Sequence, residues 1–200
     1  VHYYYDTGTN EMPAMFANGM MTCEASMTGT YQFVLKGMEF DDITESYWGA
    51  KYIYPLTTLE IINGMGDGTF QPEGLVTNAQ FVKMISKALG LNGSNGLSGF
   101  ADVDMNEWYY PYVCAVEDRG IIGGTYFNPD KPMDRLDMAK AVVKAYMSYA
   151  GGNLSDIADL SEDEFRDIAM LTLDEQKYIK AAYVLEIING MTATSFSPDG

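Results

Sequence analysis

The chain has 200 residues, 47% of them hydrophobic, which is enough apolar material for a folded core and excludes a disordered chain. Its net charge of −16 excludes nucleic acid and anionic membrane as main partners, because both require a basic face. No apolar run is long enough to cross a bilayer. The two cysteines, Cys23 and Cys114, show no metal-ligand spacing, and the sequence leaves their pairing open.

Residues 1–38 favour short β-strands. The opening run Val1–Tyr5 is aromatic, further strand patterns follow at 14–16, 20–24 and 30–35, and Asn18-Gly19 is typical of a hairpin turn. We predict that this segment is the end of an upstream β-domain or a strand cap, and that the lone histidine is a strand residue. Because a strand pattern begins at once, without a signal peptide, we expect a piece cut from a larger protein.

A second pattern dominates the rest of the chain. Residues 59–72 read LEIINGMGDGTFQP, and related sequences return at 119–129 (RGIIGGTYFNP) and 185–198 (LEIINGMTATSFSP). In each copy a helix-like run ends in a glycine-containing turn, and an aromatic residue and a proline follow. A recurring period of this kind indicates a repeat architecture.

The spacing of the aromatic residues supports a true repeat. When the Ile-Ile pairs are aligned, Phe40 and Phe100 each lie 23 residues before the residue that follows the pair, and Trp48 and Trp108 each lie 15 before it. In the third copy Asp174 stands where tryptophan is expected. We therefore predict three tandem repeats at 39–91, 100–150 and 157–200, joined by linkers at 92–99 and 151–153.

Each repeat is predicted to hold two helices around its turn. The apolar period predicts first helices at Trp48–Ile62, Trp108–Ile122 and Leu173–Ile188. Second helices should begin after the N-caps Thr77 and Asp134, the first of them with Gln80 in a capping box. The third repeat follows an acidic helical insert near 161–165 and lacks a second helix, so we expect the parent protein to continue beyond Gly200, or something else to cover the apolar stripe.

These motifs resemble the S-layer homology family of bacterial surface proteins. The matching residues are the Phe-x-Asp start, the helix tryptophan, the Ile-Ile-Asn-Gly turn and the Gly-Asp-Gly-Thr-Phe-x-Pro stretch, which here are Phe40, Asp42, Trp48, 61–64 and 66–72. The resemblance covers residues 39–200. It implies a mainly α fold, with three tandem helical repeats in a pseudo-threefold bundle preceded here by the short β-strand segment. It also implies grooves between repeats that bind a secondary cell-wall polysaccharide, with a pyruvylated sugar as one candidate.

The resemblance further implies which residues line the grooves. An arginine fork at a helix start can hold a carboxylate, an indole can cover a sugar face, and a glycine turn lets backbone approach the ligand. The first motif has Asn78 and Gln80 where the family has arginine and glutamate, whereas the second keeps Arg135 and Asp137. The predicted glycan-binding residues are Arg135, Asp137, Trp48, Trp108, Asn78, Gln80, Gly66, Asp67 and Gly68.

Several of these residues have other interpretations. The tryptophans could anchor a helical core, and Arg135 could pair with Asp134, Asp137 or another surface acid. Asp67 between glycines is typical of a plain turn, because the alternating oxygen ligands of a calcium loop are missing from the sequence.

Two functions remain after these considerations. The first hypothesis is a non-catalytic module that anchors an extracellular protein to the bacterial cell wall by binding its polysaccharide. The alternative is a structural subunit of a surface lattice or filament that uses the repeats for protein–protein assembly or self-association. The sequence shows no Ser/His/Asp set, Cys/His pair or metal cluster, so we expect no enzyme activity, no cofactor and no membrane insertion.

Overall fold

A computed structural model describes residues 40–44, 46–91, 93–158, 165–192 and 194–198 with their side chains, and the backbone of four strands within residues 2–34. The predicted Asn18-Gly19 turn and residues 161–164 of the predicted acidic insert lie outside the described residues. The chain divides into two units, Val1–Gly74 and Leu75–Gly200, and each unit is described by itself.

The first unit contains an antiparallel sheet of four strands, β1 (His2–Asp6), β2 (Glu11–Ala17), β3 (Met20–Cys23) and β4 (Phe33–Val34). Their order in the sheet is β3-β2-β1-β4. His2 pairs with Met15 between β1 and β2, Ala14 pairs with Cys23 between β2 and β3, and Tyr5 pairs with Phe33 between β1 and β4.

Helices dominate the rest of the described chain, which confirms the prediction of a mainly α protein. One helix lies in the first unit and the others lie in the second. The helices are α1 (Ala50–Thr58), α2 (Asn78–Ala88), α3 (Tyr110–Glu117), α4 (Arg135–Ala150), α5 (Leu154–Ala158) and α6 (Leu173–Val184), with a 3₁₀ turn at Arg166–Ile168.

The predicted starts of the second helices are confirmed. Thr77 caps α2 and forms the predicted capping box with Gln80, and the Asp134 side chain accepts the N–H of Asp137 at the start of α4. Both caps satisfy backbone donors that a helix leaves without an intrahelical partner. They fix where α2 and α4 begin, and these two helix starts carry the contacts between segments described below.

The predicted ends of the first helices are wrong. α1, α3 and α6 stop four or five residues early, because the chain turns at Glu60, Gly120 and Glu186, all with φ between 55° and 66°. The residue after each turn donates to a carbonyl five positions back, as Ile61 does to Leu56, which is a Schellman arrangement. The tryptophans also precede their helices and do not begin them.

These turns predict opposite effects from two substitutions. Gly120→Ala should lower the free energy of unfolding by about 1 kcal/mol, because alanine is strained at φ 66°. A Cβ at this position would contact no other residue, so no new packing would offset the strain. Glu186→Gly should raise the free energy of unfolding by up to about 1 kcal/mol, because glycine adopts φ 55° without strain. Urea unfolding measures both. Changes of the same sign would contradict this account.

Helix α4 lies between two hydrophobic cores of the second unit. Residues two positions apart lie on roughly opposite faces of a helix, so two sets of side chains along α4 pack into two different clusters. One cluster contains Ala141 and Ala145 with Phe100, Val113, Ile121 and Phe127. The other contains Ala139 and Val143 with Phe165, Ile168, Ile179 and Phe196.

Candidate functional site

Three aspartates each bind two successive backbone N–H groups of a turn that lies 25 to 30 residues further along the chain. We call these contacts carboxylate clasps. In each clasp the first donor belongs to a phenylalanine whose ring packs on the phenylalanine two residues before the aspartate. The clasps are Asp42 with Phe70 and Gln71, Asp102 with Phe127 and Asn128, and Asp167 with Phe196 and Ser197, all at 2.7–3.0 Å.

The clasps shift the pKa of two of these carboxyls. The N–H of Phe70 holds the pKa of Asp42 below its ordinary value. At Asp167 desolvation raises the pKa, but the bonds from Phe196 and Ser197 outweigh it and the pKa is lowered. Both shifts mean that the charged carboxylate is the form that stabilises the turn.

The start of α2 docks on the turn held by the second clasp. We call this contact the first seam. The Asn78 side-chain amide donates to the carbonyls of Phe127 and Asn128 at 2.9 and 3.0 Å. The backbone N–H groups of Asn78 and Ala79 donate to carbonyls of the same turn, at Lys131 and Pro129. The side-chain and backbone N–H donors of Asn78 are therefore already bonded to carbonyls of the protein.

The start of α4 docks in the same way on the turn held by the third clasp, which we call the second seam. Arg135 Nε donates to the carbonyl of Phe196 at 2.9 Å, and Nη2 donates to that of Asn189 at 2.7 Å. The guanidinium carbon lies 4.8 Å from the centre of the Phe196 ring. Burial lowers the pKa of Arg135. Arg135 thus takes at the second seam the place that Asn78 takes at the first.

The alternative that Arg135 pairs with a neighbouring acid is wrong. In the described part of the chain, Asp134 pairs with Lys131 at 3.1 Å, and Asp137 pairs with Lys140 at 3.5 Å. The role of Arg135 as a ligand group stays a prediction. Two of its five N–H groups are already used by protein carbonyls.

A cleft of about 150 Å³ opens beside Asn78 at the first seam. Arg135 reaches Asn189 at the second seam, whereas the aligned residue at the first seam, Gly123, borders the cleft and is exposed. The volume is on the order of that which holds one six-membered ring. The cleft is lined by Asn78, Val82, Phe100, Ile121, Ile122, Gly123, Tyr126, Phe127, Met133, Asp137, Lys140, Ala141 and Lys144.

Two lysines and one aspartate of α4 bring charge to this cleft. Lys140 lies 3.0 Å from Glu175 of α6 and 3.5 Å from Asp137, so its charge is shared between two carboxylates. The bond from Lys140 lowers the pKa of Glu175 to about 2. Lys144, one turn further along, lies 5.8 Å from the centre of the Tyr178 ring. The lining therefore has a net charge of +1 in a chain of net charge −16.

The two tryptophans are solvent-exposed, so the interpretation that they anchor a helical core is wrong. Trp48 is 73% exposed and Trp108 is 52% exposed, whereas Tyr109, the next residue after Trp108, is buried. Lys83 of α2 lies 5.9 Å from the Trp108 ring centre. Neither tryptophan borders the described cleft. Their part in sugar stacking stays a prediction.

The remaining predicted site residues also have local structural roles. Gly66 and Gly68 adopt φ values of 88° and 92°, which the turn requires. Asp67 accepts bonds from the hydroxyl and the backbone N–H of Thr69, and these bonds lower its pKa. The Gln80 side chain accepts the N–H of Thr77 in the capping box. The described residues contain no group of three or more metal-ligating side chains.

The sequence-based search missed Tyr126, Lys140 and Lys144. The helix spacing of Asp137, Lys140 and Lys144 could have indicated them, since residues three and four apart share a helix face. Of the predicted residues, the structure brings Asn78 and Asp137 together at the cleft and places Arg135 at the other seam.

The described repeats of clasp, turn and docked helix define a tandem helical-repeat protein with a cleft at a seam between segments. Residues 39–82 and 99–139 match the S-layer homology domain and belong to that family, which confirms the resemblance. S-layer homology domains as a family anchor the proteins that carry them to the cell wall, and this places the chain outside the cell at the bacterial surface.

The chain is also similar to curated proteins with different names. It is 33% identical over 164 residues to an endoglucanase of Bacillus sp. (strain KSM-635), which covers 80% of this chain and 17% of that protein. It is 30% identical over 165 residues to an S-layer protein of Bacillus thuringiensis subsp. finitimus, covering 81% and 19%. It is 31% identical over 178 residues to exoglucanase XynX of Acetivibrio thermocellus, covering 87% and 16%. The chain thus spans less than a fifth of each. In the described part of the chain, no helix has the length and apolar character to span a membrane.

Proposed function

We propose that this chain is a non-catalytic module that holds a larger protein on the bacterial cell wall by binding a wall polysaccharide. Support comes from the relatives, since two named as glucanases and one named as an S-layer protein share this stretch, which is less than a fifth of each. A stretch common to proteins of different activity is better suited to attachment than to catalysis.

The observation that carries the proposal is the cleft at the first seam. It has apolar walls from Phe100 and Phe127, polar side chains from Asp137 and Lys144, and the ring of Tyr126, which is 65% exposed. A flat aromatic ring beside convergent polar groups suits a sugar, which has apolar faces and a polar edge. Its volume suits one sugar ring of the polymer.

We also propose that residues 157–200 form a third, incomplete repeat of the same family. The clasp of Asp167, the ring pair of Phe165 with Phe196 and the turn at Glu186 each have counterparts in the two matched segments. With this segment the chain would contain the three tandem repeats expected from the sequence.

Removal of the Tyr126 ring tests the binding site. Tyr126→Ala should weaken retention on purified wall carrying its polysaccharide about tenfold, equivalent to about 1.4 kcal/mol. Tyr149→Ala is the matched control, because Tyr149 is 84% exposed and does not border the cleft. Unchanged circular dichroism would show that both variants fold. Equal retention of the wild type on native wall and on wall stripped of polysaccharide would overturn the proposal.

Assembly remains a second candidate on one observation. Met170 and Leu173 lie three residues apart before and at the start of α6, and they are 96% and 77% exposed. Apolar side chains this exposed are typical of contact surfaces when they cluster. Failure of wall retention, together with self-association that Met170→Ser removes, would favour the lattice or filament function.

A further inference from the structure

The turn that accepts Arg135 at the second seam contains an asparagine followed by a glycine, Asn189 and Gly190. The backbone nitrogen of a residue can attack the side-chain amide of an asparagine that precedes it, and glycine hinders this approach least because it has no Cβ. Asn189 is exposed. In the described part of the chain, neither its side-chain amide nor the N–H of Gly190 has a hydrogen-bond partner. Both reacting groups are therefore available.

The packing around Gly190 requires glycine at this position. A Cβ there would lie 2.6 Å from the ring of Phe165 and 2.5 Å from the carbonyl oxygen of Thr192. Position 189 is not restricted in the same way, because the aligned residue at the first seam is Gly123. Asn189→Gly should therefore remove the reactive amide and leave the turn intact.

Arg135 binds the peptide group in which the reaction would begin. Its Nη2 donates to the backbone carbonyl of Asn189 at 2.7 Å, and this carbonyl belongs to the same peptide group as the N–H of Gly190. The guanidinium is charged at every physiological pH. A charge-assisted bond to the oxygen stabilises the negative charge that the peptide group acquires when its N–H loses the proton. Arg135 therefore favours the deprotonated nitrogen, which is the form that attacks.

From this geometry we propose that Asn189 is a site of spontaneous deamidation, that Arg135 promotes the reaction, and that isoaspartate is its main product. The Gly190 nitrogen loses its proton and forms a bond to Cγ of Asn189. The side-chain amide nitrogen takes up a proton and leaves as ammonia, so a cyclic succinimide remains. Water then opens the ring at one of its two carbonyl carbons, and nothing is oxidised or reduced in either step.

Arg135 also favours one direction of ring opening. When water breaks the bond between the Gly190 nitrogen and the main-chain carbonyl carbon, that carbonyl becomes a carboxylate and the chain continues through Cγ as isoaspartate. The new negative charge then develops on the carbonyl that Nη2 of Arg135 contacts in the unmodified chain. Opening at Cγ gives aspartate instead and places the charge on the side chain. The guanidinium therefore stabilises the route to isoaspartate.

The modification should weaken the second seam as the protein ages. Isoaspartate adds one atom to the backbone immediately before Gly190, where the ring of Phe165 leaves no space even for a Cβ. The longer backbone cannot keep both this contact and the bond to Arg135 in place. After prolonged incubation, the wild type should unfold at a lower urea concentration than before, whereas Asn189→Gly should not change. Equal loss in both would overturn this consequence.

Incubation of the full chain at mildly alkaline pH, followed by peptide mapping with mass spectrometry, tests the role of Arg135. Arg135→Gln should slow deamidation of Asn189 about tenfold, at the lower end of the effect of one charge-assisted hydrogen bond. Arg135→Lys keeps a charge and should slow it less. If Arg135 only held the turn in place, its loss would loosen the turn and speed the reaction. The internal reference is Asn95, since the N–H of Gly96 after it donates to Ser94 at 3.1 Å, and its rate should be the same in all three proteins.

A second measurement needs no variant. Unfolding in urea separates Arg135 from Asn189, so the ratio of isoaspartate to aspartate formed at this residue should be higher in the folded wild type than in urea. An isoaspartate-specific methyltransferase assay on the isolated peptides measures this ratio. Equal or faster deamidation of Asn189 in Arg135→Gln would overturn the proposal. The same ratio in folded and unfolded chains, or an intact Asn189 after Asn95 has reacted completely, would also overturn it.

Discussion

Asp167→Asn should lower the free energy of unfolding by about 2 kcal/mol, even allowing for solvent screening of an exposed carboxylate. The Asp167 carboxylate accepts bonds from the N–H groups of Phe196 and Ser197 and from the hydroxyl of Ser195. An amide has one oxygen instead of two, and its NH₂ group would face backbone donors. Phe196, which this clasp positions, is fully buried. Urea unfolding followed by circular dichroism measures the loss.

The same substitution should change the response to acid. Because the folded-state pKa of Asp167 lies below its ordinary value of 3.8, its contribution is fully present above that value. The contribution is lost as the pH falls through the folded-state pKa. Wild-type stability should therefore decline below about pH 4, and Asp167→Asn should decline less steeply. Asp130→Asn, at an exposed aspartate of the same unit, is the control. Parallel pH profiles for Asp167→Asn and the wild type would contradict the clasp.

Arg135→Ala should lower the free energy of unfolding by about 3 kcal/mol, which is the larger of the two effects. The substitution removes two charge-assisted bonds, to the carbonyls of Phe196 and Asn189, and the stacking on the Phe196 ring. It leaves those carbonyls without their partner at the second seam. Arg119→Ala, at an exposed arginine beyond the end of α3, should change stability by less than about 0.5 kcal/mol. Thermal and urea unfolding measure both variants.

This expectation changes how wall-binding experiments on Arg135 are interpreted. If Arg135 served only a ligand, Arg135→Ala would keep its stability and lose retention. If it holds the second seam, the variant loses stability, and any loss of retention then follows from partial unfolding. Equal stability of Arg135→Ala and the wild type would contradict the seam account and restore the ligand role expected from the sequence.

Local sequence rules predicted the parts of the fold that depend on near neighbours. The capping box of Thr77 and Gln80 and the cap at Asp134 were predicted because both are made within four residues. The ends of the first helices were predicted wrongly, because Glu60 and Glu186 adopt a left-handed conformation that glycine usually adopts. Nothing in the apolar period marks a glutamate as a helix end.

The candidate site was harder to predict because it depends on docking between segments. The sequence identifies Arg135 and Asn78 as residues at the same position of the repeat. It cannot show that both side chains donate hydrogen bonds to backbone carbonyls up to 61 residues away. Lys144 lies in the middle of a helix and outside every motif. Lys144 lines the cleft because the fold brings the turn with Gly123 and Tyr126 to the same cleft as α4. Sequence reasoning therefore identified the helix starts that dock at the seams and missed the lysines of the cleft at the first seam.

Helix α4 packs into both hydrophobic cores of the second unit, and this has a mechanical consequence. A load pulling on the polypeptide cannot peel away one side without disturbing the helix that supports the other. Such an attachment would hold without gradual yielding and then fail in a single step. If the proposed attachment to the wall is correct, the module would hold under load until the whole second unit unfolds.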